Sequence, residues 1–500
     1  MHRRGVLAAA FAVGVGVAVP ALAEDAKSDP PKLDLPKTDL PKLPADASVK
    51  QVTHVAGKTL NYTATVGVIP VRDEKGKVVA EVVFTAYTLD GGKSPNRPIT
   101  FAFNGGPGAA SVYLNLGAIG PKRLQFGAQG DSPSDPPNLV DNAATWLDFT
   151  DLVFIDPVGT GFSRSLVPMD ETKKRFFGVK EDIAYLSRVV YDWLLKNQRM
   201  ASPKYVVGES YGGLRAPAVG HYLQRTLGVA PAGLVMVSPV IDYRARGHTD
   251  LSPLSYMITL PSMAAAKYER EGKPLNAETL AEVEAYARGE FVTDMLKGQS
   301  DPAAVNRVVE RVTRYTGLDP ALVRRMGGRI DTQTFLRELY RDQGRIASIY
   351  DANVTAYDPF PWAQNKRAGD PILDSIVAST TTAMVDFTTR VVGWKVDGRY
   401  NALSDEVNDN WASRGQAESV EDLRQALAAD PKLKVLIAHG YGDLSCPFFA
   451  SRLIVDQMPR EAGAARTTLA LYPGGHMFYS RPGSMGSFRT DVMRLYGAAG

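Results

Sequence analysis

Residues 204–227, KYVVGESYGGLRAPAVGHYLQRTL, constrain this chain more than any other stretch. An apolar run of strand type ends in Gly208-Glu209-Ser210-Tyr211-Gly212, and a helix-like segment follows at once. Glycines two before and two after the serine permit a strand-to-helix turn too tight for side chains. Such a turn holds the serine in a strained conformation with its hydroxyl exposed at the top of a sheet. The five-residue pattern alone is weak, but the strand before it and the helix after it supply the context it needs. Ser210 is therefore the candidate nucleophile.

A serine nucleophile needs a base within hydrogen-bond reach and an acid to orient that base. On a sheet with this turn the chain order is serine, then acid, then histidine. The chain has 6 histidines, and four are usable by position: His221, His248, His439 and His476. His221 lies in the helix after Ser210, which carries it away. His248 sits at the start of an inserted region, and His439 ends a strand and reads as structural. His476 follows the last strand in YPGGHMF, where two glycines let a loop swing it over the serine. Asp443, in HGYGDLSCP, is the only acidic residue between 434 and 455, and it ends the preceding strand. Ser210, Asp443 and His476 form the candidate triad. Asp443 as a mere helix cap is the competing interpretation.

Negative charge on a reacting carbonyl oxygen needs backbone N–H donors. Asn104-Gly105-Gly106-Pro107-Gly108 ends an earlier strand and offers one. Tyr211, directly after the nucleophile, offers the other. Gly106 and Tyr211 are the expected oxyanion hole.

Strand-like runs at 97–104, 150–156, 204–210, 232–240, 434–440 and 467–475 alternate with helix-like segments. This pattern predicts an α/β fold with a mostly parallel central sheet and helices on both faces. Between about 246 and 430 the pattern is mainly helical. Starts at Asn276, Asp301-Pro302 and Asp319-Pro320 suit an N-cap, followed in the last two by proline at the first helical position. That region reads as a helical cap inserted into one core, made of 50–245 and 431–500.

The start, MHRR and then an apolar stretch ending Ala-Leu-Ala at 21–23, reads as a signal peptide over 1–23. Residues 24–49 are rich in Pro and Lys and read as a disordered linker. A periplasmic or secreted protein is expected, with no membrane span once the signal is removed. The sequence leaves Sec against twin-arginine export open. Charges nearly balance at Lys+Arg 57 and Asp+Glu 54, so no basic field for nucleic acid exists. Cys446 is the only cysteine, which excludes an internal disulfide and a multi-cysteine metal site. No cofactor or metal is expected, and oligomeric state is left open.

Several separated blocks resemble the serine carboxypeptidase family: FNGGPGAAS at 103–111, Asn142 to Trp146, DPVGTGFS at 156–163, GESYGG at 208–213, GDLSCP at 442–447 and GGHMF at 474–478. The resemblance implies an α/β-hydrolase fold with a helical cap and a bacterial member of the family. It implies release of C-terminal residues from peptides with a free C-terminus, typically at acid pH, through an acyl-enzyme. It also implies that Asn104 and Glu209 bind the substrate's terminal carboxylate and that Met477 lines the pocket of the leaving residue. Four positions depart from the pattern. Ala102 replaces a tryptophan, Ala109 a cysteine and Ala118 a second glutamate of the carboxylate network, and a glutamine is missing after Asp156. The loss at Ala118 predicts weaker discrimination for a free C-terminus. Cys446 is expected to line the pocket rather than act as a second nucleophile. The alternative activity is an esterase or acyltransferase on the same scaffold, with an aminopeptidase behind it. A binding module without catalysis is opposed by the complete Ser–Asp–His set.

Overall fold

The computed structural model describes residues 41–91, 96–125, 133–134, 136–247, 251–363, 369–461 and 463–498. The expected signal peptide, most of the linker and His248 lie outside the described residues. The first strand, β1 (Ala47–Val55), begins inside the stretch read as linker.

β1 pairs antiparallel with β2 (Lys58–Arg72), and β2 with β3 (Val78–Leu89). The turn between the last two, Asp73 to Lys77, closes through backbone hydrogen bonds and the Asp73 carboxylate. β3 then pairs antiparallel with β5 (Asp151–Ile155). Beyond it the sheet is parallel: β5 beside β4 (Ile99–Phe103), β6 (Lys204–Glu209), β7 (Gly233–Val237), β8 (Lys434–Gly440) and β9 (Thr467–Tyr472). β4 through β7 are buried along their lengths except for Lys204 of β6, which fits unbroken apolar runs covered on both faces.

Helices α1 (Val179–Lys196) and α2 (Tyr211–Thr226) contribute Leu186, Val190, Trp193 and Val219 to the core cluster on one face. Trp193 packs edge-on against Phe84 and Phe101. Trp146, Phe478 and Phe488 fill the other face. This is the α/β-hydrolase architecture, and the carboxyl ends of its parallel strands carry the candidate residues.

After β7 the chain enters a mainly helical region with its own apolar cluster. It includes α3 (Leu254–Arg270), α4 (Pro302–Thr316) and α5 (Pro371–Asp386). Asp301, Asp319 and Asp370 each cap a helix whose first residue is proline. A short hairpin, Arg345–Ala347 with Thr355–Tyr357, interrupts the helices. The helix Val420–Ala429 already packs Leu423, Ala426 and Leu427 into the core of the sheet, so the return to that core precedes β8. Among the described residues no helix is long and apolar enough to cross a membrane.

Candidate active site

Ser210 has φ +62° and ψ −121°, a backbone conformation uncommon for a residue with a side chain. Neighbouring backbone holds it there. Its N–H donates to Val237 O, and its carbonyl accepts from Gly213 and Val240. A Cβ at Gly208 would lie 1.7 Å from Gly212 O, and one at Gly212 would lie 2.4 Å from Phe103 O. Only glycine fits either position, which is the physical content of the motif.

The structure brings Asp443 and His476 together. His476 Nδ1 lies 2.7 Å from Asp443 Oδ2, and both side chains are buried. Asp443 Oδ1 accepts from the N–H groups of Ser445 and Cys446, which orients the carboxylate. Asp443 does not cap the following helix, Phe448–Asp456, which starts after Pro447 with no side-chain cap, so one oxygen fastens the loop and the other meets His476. Burial disfavours the imidazolium of His476, but the Asp443 carboxylate and the adjacent Cys446 outweigh it and hold the pKa well above the ordinary 6.5.

Ser210 Oγ lies 3.9 Å from Cys446 Sγ. The ligating atoms of Asp443, Cys446 and His476 all lie within 4.8 Å of one another. Cys446 therefore sits in the middle of the constellation, closer to the chemistry than a pocket wall.

Gly106 has φ +96°, a conformation that favours glycine. A Cβ at the preceding Gly105 would stand 2.5 Å from Tyr211 N, so the glycine turn and the first N–H of the helix are packed together. The turn is fastened from elsewhere in the chain, as Asn408 donates to Pro107 O and Ser404 N–H to Gly108 O.

Asn104 follows β4 and Glu209 ends the neighbouring parallel β6, with Phe103 opposite Gly208. Asn104 Nδ2 donates to Glu209 Oε2 at 2.5 Å, and the Tyr479 hydroxyl donates to Glu209 Oε1 at 2.7 Å. Burial raises the pKa of Glu209 above its ordinary value despite those two donors and His476. Arg215 in α2, paired with Asp182 where both are fully buried, donates to Asn104 O at 2.6 Å. Met477 is half-buried beside His476.

Of the other histidines, His221 pairs with Asp422, away from Ser210. His439 is fully buried with Nε2 2.9 Å from Ser451 Oγ, and burial pushes its pKa down to about 4, so it stays neutral.

Four contributors escape the motifs. Tyr479 has only its place three residues after His476 to signal it. Ser238, directly after β7, donates to His476 O at 2.7 Å. Tyr350 O accepts from His476 N–H, and its ring lies 5.2 Å from the imidazole. Asp351, buried, pairs with Arg481 at 2.6 Å. The last two come from the inserted region, which carries no recognisable pattern.

Residues 60–229 match the family model described as serine carboxypeptidase. Serine carboxypeptidase-like 9 of Arabidopsis thaliana is 31% identical over 147 residues, covering 29% of this chain and 32% of that protein. Serine carboxypeptidase-like 13 of the same plant is 30% identical over 166 residues, 32% of this chain and 37% of the relative. The matched region thus spans about a third of the length of these curated relatives. The crystal structure of Kex1(delta)p, a prohormone-processing carboxypeptidase from Saccharomyces cerevisiae, superposes with a TM-score of 0.55 at 17% identity. It covers 87% of this chain and 91% of that one, and the likeness is one of fold. The matched segment holds Ser210, while Asp443 and His476 lie beyond it.

Proposed function

We propose, from a chain whose residues 60–229 match the serine carboxypeptidase family model, that it is a serine hydrolase releasing C-terminal residues from peptides. One observation carries the reading. The strained Ser210 turn and the Asp443–His476 pair, remote in sequence, stand at the carboxyl ends of one sheet.

In this reading His476 Nε2 takes the Ser210 proton as Oγ attacks the scissile carbonyl. The N–H groups of Gly106 and Tyr211 stabilise the oxyanion. Asp443 keeps the proton of His476 on Nδ1 and steadies the imidazolium. His476 then gives its proton to the leaving amine, and water resolves the acyl-enzyme. Asn104 and a protonated Glu209 meet the terminal carboxylate, and Met477 lines the leaving residue's side.

A second reading has its own support. Both Glu209 oxygens already accept hydrogen bonds, from Asn104 and Tyr479. This leaves less capacity for a substrate carboxylate and favours an esterase or acyltransferase. The inserted region, read as a cap over 246–430, would shape the acyl and leaving sites in either case. Export is likewise part of the proposal, with the mature chain starting at or near Glu24. N-terminal sequencing from the native host checks it, and a cytosolic protein retaining Met1 would refute it.

The deciding experiment compares kcat/KM for one peptide with a free and an amidated C-terminus, alongside fluorophosphonate labelling of wild type and Ser210→Ala. Preference for the free peptide, with labelling lost in the variant, is expected. Equal rates on both peptides at every pH would move the assignment to the esterase or acyltransferase.

A further inference from the structure

A cavity of about 530 Å³ borders the loop that carries Asp443 and Cys446. Its walls include Tyr256 of α3, Ile349 of the inserted hairpin, and Leu444 and Pro447, which bracket Ser445 and Cys446. The Cys446 thiol is 3.9 Å from Ser210 Oγ, so this wall belongs to a loop that also touches the attacking oxygen.

Arg246 supplies the charge in this cavity. It is half-buried, lies 5.6 Å over the Tyr243 ring, and donates from Nη2 to Ser445 O. A guanidinium has five N–H donors, and that contact uses one. Among the described residues no carboxylate stands within ion-pair distance of Arg246, whereas Arg244 two residues earlier is paired with Asp242 at 2.8 Å. Asp331 also lines the cavity, but its carboxylate accepts from Thr334 N at 3.0 Å and Thr334 Oγ1 at 2.7 Å as a helix cap. The cavity thus holds one anion whose oxygens are engaged in its own helix cap and one cation, Arg246, with donors to spare. A partly desolvated guanidinium with open planar donors favours a carboxylate, which it can hold through two parallel hydrogen bonds.

The position of Arg246 indicates which carboxylate. Its neighbours are Tyr243 and Ser445, and the Tyr243 ring lies tilted 6.2 Å from that of Tyr211. Glu209, the group expected at the terminal carboxylate, has Asn104 and Tyr479 as neighbours. Glu209 directly precedes Ser210 in the chain, while Arg246 reaches it through Ser445 beside Cys446, so the two groups approach Ser210 from different elements.

We propose that this cavity receives an acidic side chain on the acyl side of the scissile bond, with Arg246 as its partner. Peptides carrying Glu or Asp just before the released residue are then the preferred substrates. The inference rests on the carboxypeptidase reading for its substrates but not for its geometry.

The test compares N-acyl-Glu-Leu with N-acyl-Gln-Leu, equal in size and different in charge. Wild type is expected to favour the Glu peptide about tenfold in kcat/KM, the scale of one good charge-assisted contact. Arg246→Gln should bring the ratio close to one, Arg246→Lys should keep part of it, and Arg246→Glu should favour N-acyl-Lys-Leu. A wild-type ratio near one, or one unchanged in Arg246→Gln, overturns the proposal. A second measurement needs no turnover: the Kd of N-acyl-Glu and N-acyl-Gln for Ser210→Ala and for Ser210→Ala with Arg246→Gln, by calorimetry. Tighter binding of N-acyl-Glu that vanishes with Arg246 supports the site even where no peptide is cleaved. Equal binding of the two ligands overturns it, whatever the enzyme hydrolyses.

Discussion

The Tyr479 hydroxyl donates to Glu209 Oε1 across 2.7 Å, so the segment that carries His476 also completes the carboxylate beside Ser210. The family resemblance implies a second glutamate at Ala118, which is buried with its carbonyl taken by the Asn142 amide; the donor that Glu209 has here is the Tyr479 phenol. A glutamate pair needs a shared proton to avoid like-charge repulsion, whereas tyrosine donates to Glu209 in its ionised form. Tyr479→Phe should raise the Glu209 pKa further and cost about 1–3 kcal/mol of stability, the usual effect of leaving a buried acceptor short of a donor. Thermal unfolding and the pH profile on free-C-terminus peptides together check this.

The pH dependence should differ by substrate. Catalysis requires neutral His476, whose pKa lies above 6.5, so hydrolysis of esters without a carboxylate should rise with pH, with a midpoint above 6.5. Peptides with a free C-terminus should add a falling limb as Glu209 ionises above its ordinary 4.5. The acid optimum implied by family resemblance is thus displaced upward. Cys446→Ser should lower the ester midpoint, because Cys446 helps hold the His476 pKa up. A midpoint below 6 on esters would contradict this electrostatic account.

Asp443→Asn should lower kcat about 10⁴-fold while the protein stays folded, because the amide retains an acceptor for the loop N–H groups but favours the wrong imidazole tautomer. Activity measured beside circular dichroism separates the two effects.

Gly475→Ala should lower kcat far more than it lowers binding. A Cβ there would lie 1.9 Å from Tyr350 O, the acceptor of the His476 N–H, so the imidazole must shift. Kcat and KM measured separately are the check, and a rise confined to KM would count against the assignment.

Asp156 is buried, and desolvation lifts its pKa to about 7 despite hydrogen bonds from Ser111 N and Tyr400. The stability that this raised pKa contributes is present below about 3.8 and lost as pH rises through about 7. Wild type should therefore lose stability relative to Asp156→Asn between pH 4 and 7, by about 4 kcal/mol. Chemical denaturation of both proteins across that range tests it.

The parallel strands and the three candidate catalytic residues were legible in the sequence because each depends on a local rule. The Ser210 turn admits only glycine at 208 and 212, and unbroken apolar runs mark strands covered on both faces. Asp443 and His476 could be picked out because acids and histidines are scarce near strand ends. Tyr479, Tyr350 and Asp351 were not legible, since what matters about them is a contact across the fold, and a tyrosine or aspartate carries no sign of its distant partner. Cys446 was half legible. Its position beside the site was expected, but its central place between Ser210 and His476 was not. The helix at Val420–Ala429 was grouped with the insertion because its composition resembles its neighbours, while its apolar side fits the sheet.

The hairpin of the inserted region touches both catalytic loops: Ile349 O accepts from Leu444 N, Tyr350 O from His476 N, and Asp351 holds Arg481. On the proposed function, the part of the molecule expected to shape substrate choice thereby also helps hold the imidazole of His476. Exchange of this whole region between relatives would transplant specificity and misalign the imidazole in one step. New specificities on this scaffold should therefore arise by substitutions around a retained 349–351 segment, and a grafted lid will need that tripeptide and its arginine anchor carried along or left in place.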